Sequence, residues 1–259
     1  MQRLISTFLV LLVLSGAVVG TVKAGDTLGP GDIAIIGYNS DDTSQFAFVC
    51  LKDISAGTTV YFTDRGWKAT STPPSFFVGE GKLTWEAPGG CSLGEIVVIN
   101  EFDLPMTGTF KLSNSGDQIL VYQGPDNSPN FIFAINFEDN KWQVNASNAN
   151  TSARPPGLDE TNSIALDEID NSVYIGPTSF TTTTGALAAI VNKANWEGSD
   201  TVRKTMPTGD FSFTTTAVEL SEFSAATEGD SAPWWIIVVL IAVPAAILVF
   251  RRPKKECCR

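Results

Sequence analysis

The chain has 259 residues, with 28 Asp and Glu against 17 Lys and Arg and no histidine, for a formal net charge of −11. At 43% hydrophobic and 17% charged it has the composition of one globular domain with apolar segments added, not that of a disordered chain. The absence of histidine excludes an imidazole pH switch, an imidazole metal ligand and the common serine and cysteine catalytic arrangements.

Met1-Gln2-Arg3 precedes an apolar run from Leu4 to Val19, and Val22-Lys23-Ala24 offers small residues where a signal peptidase reads. Residues 1–24 are therefore predicted to be a cleaved secretory signal. The alternative, an uncleaved anchor, is disfavoured because the run is shorter than the roughly 20 residues a bilayer core needs.

From Asp32 onward, short apolar or β-branched runs are cut by Gly, Pro, Asn and Asp. The predicted strands are DIAIIGY, QFAFVCL, TTVYFTD, KLTWEA, EIVVIN, DQILVYQ and FIFAINF, all before residue 138. So many strands in one segment, 25–213, predict an all-β, β-sandwich-like domain. Residues 33–49 and 119–135 share a layout of apolar strand, acidic turn and Phe-x-Phe strand. Alternation predicts that Phe46 and Phe48, and likewise Phe131 and Phe133, face the core together. Two convergent hairpins explain this echo better than a duplication does.

NASNANTS (145–152) holds two sequons, at Asn145 and Asn150, in a stretch that reads as an exposed loop able to carry glycans. GALAAIVNKANW (185–196) is the one predicted short helix, with Leu187, Ile190 and Val191 on one side. Residues 214–233, rich in Thr, Ser, Ala and Glu, read as a stalk.

Trp234 to Phe250 is a run of 17 residues without a charge, about 26 Å at helical rise and just long enough to cross hydrocarbon. Trp234 and Trp235 suit one interface, and Arg251, Arg252, Lys254 and Lys255 suit the cytosolic side. A buried core helix is the alternative, and it leaves the double Trp start and basic stop unexplained. Signal plus stop-transfer predicts a single-pass type I membrane protein of the cell surface or secretory pathway. Its N-terminus would lie outside and its tail, 251–259, inside. Setting aside Arg3 and Lys23, and the tail's five basic residues and Glu256, segment 25–233 holds 10 basic and 27 acidic residues, a net charge of −17. Such a surface disfavours nucleic acid and favours cations or basic partners.

Cys50 and Cys91 lie in the segment predicted to be outside, where either a bridge or two free buried thiols fits. Cys257 and Cys258 directly follow the apolar run and are candidates for palmitoylation.

At this point a resemblance can be named. The blocks GDIAIIGYNSDD, FAFVCLKDISAGTTVYFTDRGW, EGKLTWEAP, LSNSGDQILVYQG, FIFAINF, NTSARPPGL, DNSVYIGPTS and LAAIVNKANWEGSD occur in order over roughly residues 30–200. They resemble an uncharacterised extracellular β domain of secreted and surface-attached bacterial proteins, itself similar to the lamin-tail sandwich. The resemblance implies secretion and a sandwich-like fold, and it brings no catalytic residues. Cys50, Cys91 and the membrane tail depart from it, so disulfide state and attachment are not carried over. The apolar run with its basic stop is also similar to prokaryotic C-terminal sorting tags, in which the helix is clipped after export.

Candidate sites are acidic or aromatic. Asp41, Asp42, Asp64, Asp126 and Asp139 (next to Glu138) sit in turns where oxygens could gather around Ca²⁺, although turn chemistry alone also places Asp there. Trp67, Trp142 and Trp196 sit in polar surroundings and could form a sugar-stacking platform, or cap edges of the core. Paired carboxylates alone do not make a hydrolase, so no enzyme is predicted. Two functions remain: adhesion or structural contact with an extracellular protein, and a carbohydrate- or ligand-binding receptor-like module.

Overall fold

The computed structural model describes residues 25–214, which belong to one compact unit. The predicted signal, most of the stalk, the apolar run 234–250 and Cys257 and Cys258 lie outside the described residues. No helix among the described residues is long and apolar enough to cross a membrane.

In chain order the elements are β1 (Ile33–Asn39), β2 (Gln45–Cys50), β3 (Thr59–Thr63), β4 (Trp67–Lys68), β5 (Ser75–Phe76), β6 (Lys82–Glu86), β7 (Ile96–Asn100) and β8 (Met106–Thr107). There follow β9 (Gln118–Gln123), β10 (Asn130–Asn136), β11 (Ser163–Ala165), β12 (Asn171–Tyr174), β13 (Ser179–Phe180), α1 (Thr183–Ile190), a single 3₁₀ turn at Lys193–Asn195, β14 (Trp196–Ser199) and β15 (Ser212–Phe213). The fold is mostly β, with two main sheets and one short helix. A five-stranded sheet runs β14-β12-β1-β2-β7 and a six-stranded sheet runs β11-β10-β9-β3-β6-β8.

All seven predicted strands are present within a residue or so. Three more, β11, β12 and β14, lie beyond residue 138 and complete one edge of each sheet. Their three or four residues are too few for periodicity to register. The helix is displaced toward the N-terminus of the predicted 185–196, because Thr182 caps it by accepting from the Gly185 N–H and Asn192 starts the separate 3₁₀ turn. Trp196 then belongs to a strand.

The sheets share a core in which Phe46 and Phe48 of β2 meet Phe62 of β3 at ring-centroid distances of 4.9 and 5.0 Å. Trp85 of β6 presents its edge to Phe48 at 5.1 Å. Burying each such ring contributes roughly 2–3 kcal/mol. Cys50 and Cys91 form a disulfide with Cα atoms 6.3 Å apart. It ties β2 to the connection between β6 and β7, beside a bridge pairing Ile54 with Cys91. Closing this loop contributes about 4 kcal/mol on the chain-entropy account, and the bridge suggests an oxidising, extracellular or secretory environment.

Strands β9 and β10 of the six-stranded sheet are buried on both faces. Ile119, Val121, Phe133 and Ile135 enter the main core, while Leu120, Tyr122, Phe131 and Ala134 join a second cluster with Trp67 and Phe76. Strands covered on both sides read as continuous apolar runs, which is how QILVY and FIFAI read. The expectation that Phe131 and Phe133 share a face is corrected here: a bulge at Ile132 shifts the register between them and sends them to opposite sides. In the echoing hairpin the bulge falls at Ile36, in the first strand instead of the second. The two hairpins also lie in different sheets, so the likeness of 33–49 to 119–135 is one of layout.

Candidate functional site

The most chemically varied surface among the described residues is a groove of about 670 Å³ at the β11 edge of the six-stranded sheet. Ser163, Ile164 and Ala165 of β11 contribute to its lining, together with residues 140–144 and with Val191 and Lys193 after α1. The segment 140–144 is held by a bridge between Gln143 and Ala153, with the Gln143 N–H donating to the Ser152 carbonyl at 3.0 Å. Lys193 Nζ donates to the Asn140 carbonyl at 2.8 Å, joining the post-helix turn to that segment.

Trp142 lines this groove. It packs against the second aromatic cluster yet stays half-buried. Arg154 lines it too, bonding Glu160 through Nη1 at 2.6 Å, while its Nε is buried with no partner among the described residues. A buried donor left unpaired costs on the order of 1–3 kcal/mol and calls for a reason. Lys141, Arg154 and Lys193 make this lining basic against the single carboxylate of Glu160, in a segment with only 10 basic residues.

The other two tryptophans do not join Trp142. Trp67 is 4% exposed, with its ring 5.2 Å from Phe76 and 5.1 Å from Phe131. Of its two readings, Trp67 therefore takes the core one: the β4–β5 hairpin and residues 146–153 enclose it. Trp196 donates its indole N–H to the Ile190 carbonyl at 2.7 Å and packs edge-on to Tyr174, as a part of the main core's rim.

The five candidate aspartates are also dispersed, and among the described residues no group of three His, Cys, Asp or Glu is placed to hold a metal ion. Asp126 sits 2.9 Å from Arg65 Nη1 and 2.7 Å from Lys82 Nζ and accepts from Tyr122 at 2.8 Å. Burial pushes its pKa upward, but these three donors prevail and hold it at about 2. Two cations thus already occupy the space a metal would need. Asp139 pairs with Lys141 at 2.8 Å, and Asp41 accepts from buried Asn171 at 2.6 Å. Asp42 occupies the β1–β2 turn with φ at 57°, a left-handed turn conformation that Asp tolerates.

Asp64 belongs to a buried group that sequence reasoning named only in part. It follows β3, Glu80 precedes β6 and Asp117 precedes β9, and the antiparallel register brings all three to one end of the six-stranded sheet. Asp64 accepts from the Gly81 N–H at 3.0 Å and the Lys111 N–H at 2.7 Å. Asp117 accepts from the N–H groups of Ser113 at 2.9 Å and Gln118 at 2.8 Å, and from Gln118 Nε2 at 2.8 Å. Gln118 Nε2 also donates to the carbonyls of Asp64 and Ala149, while its Oε1 and one oxygen of Glu80 are buried without a partner. Burial raises all three acids: Asp64 to about 7 despite its N–H donors, Glu80 to about 8 with help from the Asp64 charge, and Asp117 well above the usual range. The group clamps loops together through the fully buried Asp64 and Asp117, with Glu80 half-buried beside them. Asp117 and Gln118 were findable only as the start of DQILVYQ, where both read as strand flanks.

The sequon stretch is less exposed than the sequence predicts. Ala146, Thr151 and Ser152 are buried, and Asn145 and Asn150 are half-buried, donating to the Ala146 carbonyl at 3.1 Å and Ser113 Oγ at 3.0 Å. The physical reason is that this stretch wraps residue 67: the N–H groups of Ala146 and Ala153 both donate to the Trp67 carbonyl at 3.1 Å. Gly66 permits the approach, because a Cβ there would collide with the Thr151 carbonyl.

Comparison with family models, with curated proteins and with solved structures gives no match.

Proposed function

We propose that this chain is a single-pass type I surface protein whose sandwich-like extracellular domain works in adhesion by binding carbohydrate. The groove beside Trp142 is its contact site. The observation that carries the reading is Trp142 itself. Its indole is half-buried in a groove of about 670 Å³, and its N–H has no acceptor among the described residues, unlike that of Trp196. An indole face stacks on the apolar face of a sugar ring, and the amides of Asn140 and Gln143 in the same lining can bond its hydroxyls. The disulfide supports an extracellular placement. Anchoring rests on the sequence of 234–250. The activity is binding without turnover.

The experiment is retention of the full chain, solubilised in mild detergent, on an array of plain and charged oligosaccharides. Retention is expected, and Trp142→Ala is expected to abolish it while the melting temperature stays within a few degrees of the parent. Retention that survives Trp142→Ala would move the site elsewhere.

A further inference from the structure

Lysine and arginine are scarce in this domain, yet three of the 10 in segment 25–233 line the one groove that Trp142 occupies. Their hydrogen-bonding state is as telling as their number. Arg154 uses Nη1 on Glu160, an exposed carboxylate, and leaves Nε buried and unpaired. Lys193 spends one of its three protons on the Asn140 carbonyl, and Lys141 is paired only with the surface carboxylate of Asp139. The Trp142 N–H adds a further donor without an acceptor among the described residues. The lining therefore carries three cations against one carboxylate, which is the complement of a ligand with oxygen and negative charge. Arg154 Nε is itself closed off, so a ligand carboxylate meets this guanidinium through its Nη atoms.

We infer that the groove selects acidic saccharides. A sugar ring lies on Trp142, and a carboxylate of the same chain of sugars is held by Arg154 and Lys193. This rests on the carbohydrate reading above and adds the charge of the ligand to it.

The test presents the full chain in detergent with uronate- and sialate-terminated oligosaccharides beside their methyl esters, and with a polyglutamate peptide. The acids are expected to bind at least tenfold more tightly than their esters. Lys193→Met and Arg154→Met, each with its melting temperature checked against the parent, are expected to remove most of that preference, while Trp142→Ala removes binding of acids and esters alike. Equal binding of acids and esters, both lost with Trp142→Ala, overturns the inference and leaves the carbohydrate reading standing. Binding of polyglutamate as tight as that of the uronates overturns the sugar in both. Absence of binding to every saccharide overturns both together.

Discussion

The groove at Trp142 and the carboxyl group at Asp64, Glu80 and Asp117 both contain polar atoms that lack partners, but of opposite kinds. In the groove they are donors, the buried Arg154 Nε and the N–H of the half-buried Trp142. In the carboxyl group they are acceptors, Gln118 Oε1 and Glu80 Oε2, each buried without a partner among the described residues. The segment 140–155 separates the two. Ala149 covers Gln118 on one side, and Trp142, Val144 and Arg154 line the groove on the other. The difference teaches which deficit has a remedy within the molecule. Excess acceptors can be met by protons, which is what the raised pKa of each acid expresses. Excess donors on fixed cations have no such remedy, so they wait for something from outside.

The largest effect expected is on the carboxyl side. Asp117→Ala would strand the N–H groups of Ser113 and Gln118 in a fully buried place and take one acceptor from the Gln118 amide. A loss of about 3–5 kcal/mol is expected by chemical denaturation. Asp117→Asn, which keeps one acceptor, should lose clearly less. If the alanine variant lost under about 1 kcal/mol, the carboxyl group would not be a clamp and the contrast would dissolve.

Acidity gives the next effect. Asp64 moves from 3.8 unfolded to about 7 folded and Glu80 from 4.5 to about 8, so the native state holds protons that the unfolded chain has released. The stability they contribute is fully present below about pH 4 and is lost as pH rises through 7 and 8. A fall on the order of 2 kcal/mol across that window is expected in denaturation curves. Asp126 runs the other way: with its folded pKa held at about 2, it stabilises above pH 4 and loses that contribution as pH drops toward 2. Glu80→Gln should flatten the curve and raise stability at pH 8 by about 1 kcal/mol, since it removes a charge facing Asp64 and leaves a neutral group in its place. Stability that climbs from pH 4 to 8 would show these acids to be ionised and bound to something.

How much of this could be read from the chain divides along the same line. The strands were legible wherever five or more residues kept a β pattern, and so was the placing of Phe46 and Phe48. The bulge at Ile132 was not, because one inserted residue leaves composition unchanged while reversing every side chain beyond it. Trp67 and Trp142 look alike in sequence, each a tryptophan after a polar turn. What separates them is the wrapping of 146–153 over residue 67, a contact between segments some 80 residues apart that no local pattern encodes. Asp64 was legible as an acid at a strand end, but its neighbours Glu80 and Asp117 come together only through the register of β3 with β6 and β9.

The smallest expected effect on stability is the most informative about the groove. Arg154→Met keeps the unbranched stem that packs along the lining, removes the buried Nε that has no partner and gives up the ion pair with Glu160. Glu160 is 79% exposed, so solvent screens that pair and it contributes little. Relieving the unpaired donor returns a comparable amount. The two changes oppose each other, and a net shift within about 0.5 kcal/mol of zero is expected, read from urea midpoints at constant slope. An arginine whose removal costs the fold nothing is not kept there by the fold. A loss above about 2 kcal/mol would instead make Arg154 a structural strut, with its Nε satisfied by water, and the cations of the groove would no longer point to a ligand.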